Sequence, residues 1–288
     1  MSGRISAARS PARIVLVTGA SSGFGHAIAT HLAVKKGYRV YGTSRGAVMP
    51  DEREALPERS PLPVMIPMDV CVDASVEAAV THILRHHGRV DVLVNNAGFG
   101  IAGAIEDTSI EEMQRQFDAN VFGVLRVCRA VLPHMRRQGG GRIVNVSSLA
   151  GIIAVPFQGA YSASKFALEA LTEALRMETK PFGIVVSLVE PGDFRTGFTA
   201  NRVRTEGSRT NPAYAERFAR ALGLMERDES RGPDPEALVP VLERILEARS
   251  PRLRYTAGAP VQRAAALLKR VLPASLFERV MMTVYGIR

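Results

Sequence analysis

A glycine-rich turn at the first predicted strand–helix junction constrains the fold of this chain more than any other feature. It spans residues 18–25, with the sequence Thr-Gly-Ala-Ser-Ser-Gly-Phe-Gly, and follows an apolar run at residues 13–18. Glycines here permit a sharp turn, a backbone close to a pyrophosphate and tight helix–strand contact, while the next helix offers free N–H groups to phosphates. The turn predicts a dinucleotide site, and an ordinary tight turn is the alternative. The predicted cofactor contacts in the turn are Gly19, Ser21, Ser22, Gly23, Phe24 and Gly25.

Strands and helices alternate along the chain. Predicted strands occupy residues 13–18, 38–43, 64–67, 90–94, 141–147, 184–189 and 252–256, and predicted helices occupy residues 24–36, 74–87, 110–137, 160–179 and 235–248. Asp73 is expected to cap the second helix. This alternation implies crossover units and a mostly parallel, doubly wound α/β sheet with helices on both faces. No linker divides the chain, so residues 1–288 are predicted to form one domain.

Three segments depart from the alternation. Residues 1–11 are small and basic, and we expect a flexible tail there. Residues 193–233 carry many Arg, Gly and Thr residues, which is typical of a substrate loop or lid. Residues 260–288 are predicted to form an amphipathic helical extension. Large side chains of the lid are expected to line a pocket or to pack in the core, namely Phe198, Phe218 and Met225.

Composition and charge exclude several classes of protein. The chain is 46% hydrophobic and 23% charged, which excludes wholesale disorder. Its two cysteines lack a paired spacing, so we predict no metal site and no disulfide framework. The formal charge of +9 is scattered, and its densest run, Arg202, Arg204 and Arg209, contains no aromatic residue, so a solvated basic surface is favoured over nucleic-acid binding. No secretory signal or membrane span is evident, and a cytoplasmic location is expected.

The end of the second predicted strand indicates which nucleotide is bound. NAD sites usually place Asp or Glu there, on the ribose 2′-hydroxyl. Here the sequence is Thr-Ser-Arg, and Arg45 with Ser44 could bond a 2′-phosphate. We therefore predict NADP rather than NAD. The alternative is that Arg45 points to solvent.

Two further strand ends carry residues that suit a nucleotide crevice. Asp69 and Val70 follow the third strand, and Asp69 could accept a hydrogen bond from the adenine amino group or serve as a local cap. Asn96, Ala97 and Gly98 follow the fourth strand, where small and amide residues suit a ligand. A plain Asn/Gly turn is the alternative at this second position.

Tyr161 and Lys165 carry the predicted chemistry. Their spacing of four residues places both side chains on one helix face. A nearby ammonium favours an ionised tyrosine, so we expect Lys165 to lower the pKa of Tyr161. An isolated pair would favour a surface role, but Ser148 ends the preceding strand and Asn120 occupies an unfavourable mid-helix position. Ser148 could polarise a carbonyl, and Asn120 could hold a water that bonds Lys165.

These residues together make the chain resemble the short-chain dehydrogenase/reductase family. The resemblance covers roughly residues 12–200 and rests on the Thr-Gly-(x)3-Gly-x-Gly turn, the Asn-Asn-Ala-Gly segment at residues 95–98, Asn120, Ser148, Tyr-x-x-x-Lys and Pro191-Gly192. Ser148 lies 13 positions before Tyr161, the usual gap in the family, and is therefore chosen over Ser147.

The resemblance implies a seven-stranded Rossmann-like sheet and a tetrad of catalytic residues. In this tetrad Tyr161 transfers the proton, Lys165 lowers its pKa and holds the nicotinamide ribose, Ser148 orients the substrate, and Asn120 supports a proton-relay water. It also implies nicotinamide contacts at Pro191, Gly192 and Thr196, and a homo-oligomer, dimer or tetramer. Residues 157–171 and the Thr-Ser-Arg segment are similar to the hydroxysteroid and retinol dehydrogenase branch, which implies a lipophilic substrate.

The main hypothesis is an NADP-dependent oxidoreductase that transfers a hydride between nicotinamide and a carbonyl or secondary alcohol. A second hypothesis is an NADP(H)-binding redox sensor without turnover, although such relatives generally lack the Tyr or the Lys. A third concerns the C-terminal extension, whose basic and apolar residues could contact a membrane surface peripherally. Packing on the protein's own body or on another subunit is the alternative for that extension.

Overall fold

A parallel sheet of seven strands forms the centre of the protein, in a computed structural model that describes residues 12–50 and 62–287. The flexible tail expected at residues 1–11 lies outside the described residues. In chain order the seven strands are β1 (Ile14–Val17), β2 (Arg39–Ser44), β3 (Val64–Pro67), β4 (Val92–Asn95), β6 (Gly141–Val146), β7 (Ile184–Pro191) and β9 (Arg254–Ala257). A small separate sheet pairs β5 (Ile101–Ala102) with β8 (Val203–Arg204).

The strand order β3-β2-β1-β4-β6-β7-β9 reverses direction at β1. Val15 pairs with Val40 of β2 on one side and with Val92 of β4 on the other, both in parallel register. In open sheets of this class, ligands bind outside the carboxyl ends of the strands at such a switch point. The predicted doubly wound, Rossmann-like sheet of seven strands is confirmed.

Helices cover both faces of the sheet. They are α1 (Gly23–Val34), α2 (Asp73–His87), α3 (Ile110–Phe117), α4 (Gly123–Arg137), α5 (Gly159–Thr179), α6 (Ala215–Arg231), α7 (Val239–Glu247), α8 (Pro260–Val271) and α9 (Ala274–Val284). Because successive side chains of a strand point to opposite faces, Leu16 packs with Val127 and Leu168 of α4 and α5, whereas Val17 packs with Leu32 of α1. Two apolar cores, one on each face, hold the layers together.

Several predicted elements differ from those observed. The helix expected over residues 110–137 is interrupted by a π-helical segment at Asp118–Phe122. The N-cap of α2 is Val72 rather than Asp73, because Val72 is the last residue with extended backbone and Asp73 already lies in the first helical turn. The predicted loop or lid at residues 193–233 contains the 17-residue helix α6, so the segment is not a continuous loop.

The C-terminal extension is a pair of helices, α8 and α9, and none of their residues is buried. Leucine and valine side chains remain strongly exposed there, including Val261 at 75% and Val271 at 78%. No helix among the described residues combines the length and the apolarity that crossing a bilayer requires.

Candidate active site

A cavity of about 860 Å³ runs along the carboxyl ends of the strands and contains nearly all of the predicted site residues. The predicted cofactor contacts in its wall are Gly19, Ser21, Ser22, Gly23, Phe24, Ser44, Arg45, Asp69, Val70, Asn96, Ala97, Gly98, Tyr161, Lys165, Pro191, Gly192 and Thr196. Ser148 is also in the wall, whereas Gly25 and Asn120 lie behind it. Phe198 and Met225 line the cavity too, but Phe218 packs instead with Ala102 and Leu222.

The glycine-rich turn is held closely against the end of β4. Gly19 adopts φ +66°, and a Cβ atom there would lie 2.9 Å from Cα of Ala97. A Cβ atom on Gly25 would lie 2.2 Å from the Gly19 carbonyl oxygen, which accounts for its place behind the cavity wall. The Thr18 hydroxyl accepts hydrogen bonds of 3.0 Å from the backbone N–H groups of Asn96 and Ala97. Only glycine fits at Gly19 and Gly25. The turn therefore forms a narrow concave surface of backbone atoms, called the cradle below.

The side chains that follow β2 and β3 meet the same cavity. Arg45 is exposed at the end of β2, and no hydrogen bond or ion pair joins it to another described residue. Asp69 Oδ1 accepts a 2.9 Å hydrogen bond from the backbone N–H of Cys71. The Asp69 carboxylate thus closes a local turn before α2, whose N-cap is Val72, and it still borders the cavity.

Tyr161 and Lys165 lie together in the first turns of α5, as their spacing predicts. Lys165 Nζ is 5.7 Å from the centroid of the Tyr161 ring and donates a 2.9 Å hydrogen bond to the carbonyl oxygen of Val146. Both side chains are buried, at 9% and 7% exposure. The ring of Phe198, from the segment between β7 and β8, packs 5.3 Å from the Tyr161 ring. The phenol is thus enclosed between α5 and the segment that connects β7 to β8.

The pKa values of the pair differ from the sequence-based expectation. Burial raises the pKa of Tyr161 to about 12, and a hydrogen bond with Ser148 opposes this rise. Burial also lowers the pKa of Lys165 to about 8, with the nearby charge of Glu169 acting in the opposite direction. In the protein alone the pKa of Tyr161 therefore shifts upward rather than downward, because burial disfavours the phenolate more than the hydrogen bond with Ser148 and the charge of Arg202 favour it.

Ser148 and Asn120 are positioned by their elements around the pair. Ser148 follows β6 and caps a short 3₁₀ turn, in which its hydroxyl accepts a 3.1 Å hydrogen bond from the backbone N–H of Ala150. Asn120 lies in the π-helical segment, only 1% exposed. Its amide donates to the carbonyl oxygen of Phe99 at 3.0 Å and to Ser164 Oγ at 3.1 Å. These bonds satisfy the buried amide and account for a polar residue inside a helical run.

Other residues near Tyr161 were missed or misread from the sequence. Arg202, expected on a solvated basic surface, has a side chain only 2% exposed and forms an ion pair with Glu229. The Thr199 hydroxyl donates to Glu229 Oε2 at 2.5 Å. Asp193 and Gln158 also line the cavity. The sequence signal for this cluster is weak, because its members are separated by up to 71 positions and meet only through the fold.

Comparisons with known proteins agree with the geometry. The family model described as short chain dehydrogenase matches residues 13–207. The chain is 43% identical to a 3-ketodihydrosphingosine reductase of Bacteroides thetaiotaomicron, over 96% of this chain and 99% of the relative, and 38% identical to human retinol dehydrogenase 8, over 84% and 80%.

Among solved structures, a short-chain dehydrogenase from Streptomyces avermitilis superposes with a TM-score of 0.77 at 38% identity, covering 96% of this chain and 97% of that one. These comparisons agree with the resemblance found in the sequence. The fold, the glycine-rich turn and the buried Tyr161–Lys165 pair agree with it as well. The chain belongs to the short-chain dehydrogenase/reductase family and is an NAD(P)-dependent oxidoreductase.

Proposed function

We propose that the protein uses NADP(H) to interconvert a carbonyl and a secondary alcohol on a lipophilic substrate. One observation carries the proposal: the buried Tyr161–Lys165 pair and the exposed Arg45 border the same cavity. A dinucleotide that places its adenosine end at Arg45 would need its nicotinamide at the other end of such a cavity. The predicted preference for NADP(H) at Arg45 and the predicted proton transfer at Tyr161 would thus involve one bound nucleotide.

The chain's own groups fit this nucleotide. The cradle at Gly19 and Gly23 would take the pyrophosphate, since side chains there would strain a backbone at φ +66° and +53°. Ser44 and Arg45 would bind the 2′-phosphate, and Thr196 with Pro191 would contact the nicotinamide carboxamide. When bound, the cofactor supplies or accepts the hydride.

The raised pKa of Tyr161 suits proton donation. With a pKa of about 12, its hydroxyl keeps its proton at neutral pH and can give it to a carbonyl oxygen during reduction. Ser148 orients that oxygen with a second hydrogen bond. Lys165 holds the nicotinamide ribose and stabilises the phenolate after transfer. Asn120, behind the wall, positions this end of the site and supports a water near Lys165.

The apolar wall of the cavity supports a lipophilic substrate. Side chains from α6 and from the C-terminal pair α8 and α9 form this part of the wall, including Met225, Leu268, Phe277, Val280 and Met281. Apolar surface of this kind favours a hydrocarbon chain or ring system over a sugar. The relatives that act on ketodihydrosphingosine and on retinol point to the same class of substrate.

A panel of long-chain aliphatic, steroid, retinoid and sugar ketones or aldehydes tests this proposal, with NADPH consumption as the readout. Turnover of at least one lipophilic carbonyl is expected. Tight NADPH binding with no turnover across the panel would favour the alternative, a redox sensor that reports the nucleotide to a partner protein. Turnover restricted to sugars would contradict the lipophilic assignment.

Replacing Arg45 with Gln is expected to lower kcat/KM for NADPH by about 10- to 100-fold, because a charge-assisted hydrogen bond to the 2′-phosphate is lost. The value for NADH is expected to stay near that of the wild type. Steady-state kinetics with both nucleotides measure this difference. A wild-type preference for NADH, or an equal loss with both nucleotides, would contradict the predicted role of Arg45.

We also propose that α8 and α9 contact membrane surfaces peripherally. Their exposed valines and leucines are accompanied by Arg263, Lys269, Arg270 and Arg279, an arrangement typical of interfacial helices. Flotation with anionic liposomes is expected to carry the full chain and to leave a variant truncated before residue 260 at the bottom of the gradient. Equal flotation of the two forms would show that α8 and α9 are not responsible, and no flotation of the full chain would favour the alternative, packing of these helices on the protein's own body or on another subunit.

The cellular location and the oligomeric state are also part of the proposal. The free cysteines Cys71 and Cys128 are compatible with a reducing cytoplasm. A homodimer or homotetramer is proposed by analogy with the family. Light scattering of the purified chain checks the second point, and a monomeric mass would contradict it.

A further inference from the structure

The helix α8 is attached to the segment that follows β7, which carries the predicted nicotinamide contacts Pro191, Gly192 and Thr196. Both polar atoms of the Gln262 side chain, in the first turn of α8, bond Asp193 of that segment. Oε1 of Gln262 accepts a 3.1 Å hydrogen bond from the backbone N–H of Asp193, and its Nε2 donates to Asp193 Oδ2. Two bonds between the same pair of residues hold the segment in one orientation relative to α8.

The end of β9 brings Gln262 to this place. β9 ends at Ala257, whose carbonyl oxygen accepts a 2.8 Å hydrogen bond from the backbone N–H of Gly192. The helix α8 begins at Pro260, where the missing N–H of proline costs no helical hydrogen bond. Oε1 of Gln262 then lies so close to Gly192 that a Cβ atom there would be 2.1 Å from it. The contact depends on β9 and α8, which both lie beyond the residues that the family model matches.

A second polar contact attaches the other end of α8 to the protein. Lys269 Nζ donates a hydrogen bond to the carbonyl oxygen of Ile152 and lies 4.7 Å from the centroid of the Phe166 ring. Ile152 follows the 3₁₀ turn that Ser148 caps. No residue of α8 is buried, so apolar packing contributes less to its placement than in the helices that cover the sheet.

The side chain of Gln262 is arranged to hold a neighbouring segment rather than to bind a ligand directly. Gln262 lines the cavity together with Gly192, Asp193 and Thr196. Its amide oxygen and its amide nitrogen, however, are both engaged with Asp193. A segment that is held in place before a ligand arrives increases the affinity, because less conformational freedom is lost on binding.

We infer that Gln262 is a positioning residue, which holds the backbone at Gly192 and Asp193 ready for the nicotinamide half of the bound nucleotide. This inference rests on the proposed function, because that function assigns the nicotinamide contacts to the segment that Gln262 holds. The cradle and Arg45 would bind the other half of the nucleotide through contacts that do not involve Gln262. Loss of the Gln262 hydrogen bonds should therefore weaken binding of the nicotinamide half selectively.

Binding of two nucleotides tests the inference without turnover. Calorimetric titration of the full chain compares NADP⁺ with adenosine 2′,5′-bisphosphate, which lacks the nicotinamide half but retains the 2′-phosphate. Gln262→Met preserves the length and the helix propensity of the side chain and removes both hydrogen bonds. We expect this variant to bind NADP⁺ about tenfold more weakly than the wild type and to bind the bisphosphate unchanged. Equal losses for both ligands, or no loss for either, would overturn the inference.

Two control variants separate the Gln262 contact from general effects. Gln114→Met makes the same substitution at an exposed position of α3 outside the cavity, and it should bind both ligands as the wild type does. Lys269→Met releases the other end of α8 and should keep the ratio of the two affinities near the wild-type value. A selective loss of NADP⁺ affinity in Lys269→Met as large as in Gln262→Met would overturn the inference, because the placement of the whole helix would then be responsible.

A double-mutant cycle shows whether Gln262 acts through Asp193. Asp193→Ala removes the acceptor of one of the two hydrogen bonds. Residues in direct contact give non-additive effects, so Gln262→Met should weaken NADP⁺ binding less in the Asp193→Ala background than in the wild type. An equal loss in both backgrounds would show that Gln262 acts by another route and would contradict the inference.

The wild-type titrations separate this inference from the proposed function. Binding of NADP⁺ by the wild type, with no selective loss in Gln262→Met, would leave the proposed function standing and overturn the role of Gln262. No binding of either nucleotide by the wild type would contradict the proposed function, and the inference with it.

Discussion

Replacing Tyr161 with Phe is expected to lower kcat for ketone reduction by about 10²- to 10⁴-fold, the usual contribution of a positioned general acid. The substitution removes one hydroxyl and keeps the ring that packs against Phe198. The carbonyl oxygen would then receive no proton as hydride arrives, and the hydrogen bond between Ser148 and the Tyr161 hydroxyl would be lost. The rate of NADPH consumption with a reduced ketone measures the loss.

Tyr214→Phe is the matched control. Its exposed hydroxyl donates to Glu106 at 2.8 Å outside the cavity described above, so the same deletion should leave kcat near the wild-type value. The dissociation constant for NADPH should be similar in wild type and Tyr161→Phe, because the cradle is unaffected. Substantial activity in Tyr161→Phe, with normal nucleotide affinity, would show that another group supplies the proton.

Replacing Lys165 with Met is expected to lower kcat/KM by about 10²- to 10³-fold, as for the removal of a single buried donor that stabilises developing charge. Methionine has a similar length but cannot donate to the ribose or stabilise the phenolate. The buried ammonium is also held by the Val146 carbonyl oxygen, so its position is well defined.

The pH dependence of kcat/KM provides a sharper signature of Lys165. Because burial lowers its pKa to about 8, the side chain is charged below that pH and loses its charge as pH rises through it. The wild-type kcat/KM for reduction should therefore fall above about pH 8, while Tyr161, with a pKa of about 12, remains protonated. The residual activity of Lys165→Met should lack this fall, and exposed Lys180→Met should retain it. The same decline in all three proteins would assign it to a different group.

Much of the fold could be predicted because its signals are local. The β-branched run of β7 and the glycines after β1 determine strand and turn within a few residues. The helix α6 also had a local signal, since Phe218, Leu222 and Met225 recur at helical spacing and are all buried. The surrounding arginines and acids obscured that pattern and made the segment look irregular.

Other features had no local signal. The sequence of residues 118–122 carries no spacing that distinguishes a π-helical turn from a continuous α-helix. The cap of α2 depended on where the extended backbone ends, a difference of one residue between Val72 and Asp73.

Within the site, the sequence indicated which groups meet but not their environment. Spacing placed Tyr161 and Lys165 on one face, yet the direction of the Tyr161 pKa shift depends on burial, which the pattern does not report. Arg202 looked like surface charge and is instead buried beside Glu229, because the segments that carry them fold over the cavity.

A crystal structure of the complex with NADP⁺ tests the central claim most directly. We expect the nicotinamide ring beside the Tyr161 hydroxyl, the ribose hydroxyls within hydrogen-bonding distance of Lys165 Nζ, and the 2′-phosphate against Arg45. A nucleotide bound with its nicotinamide remote from Tyr161, or with its 2′-phosphate free in solvent, would contradict it.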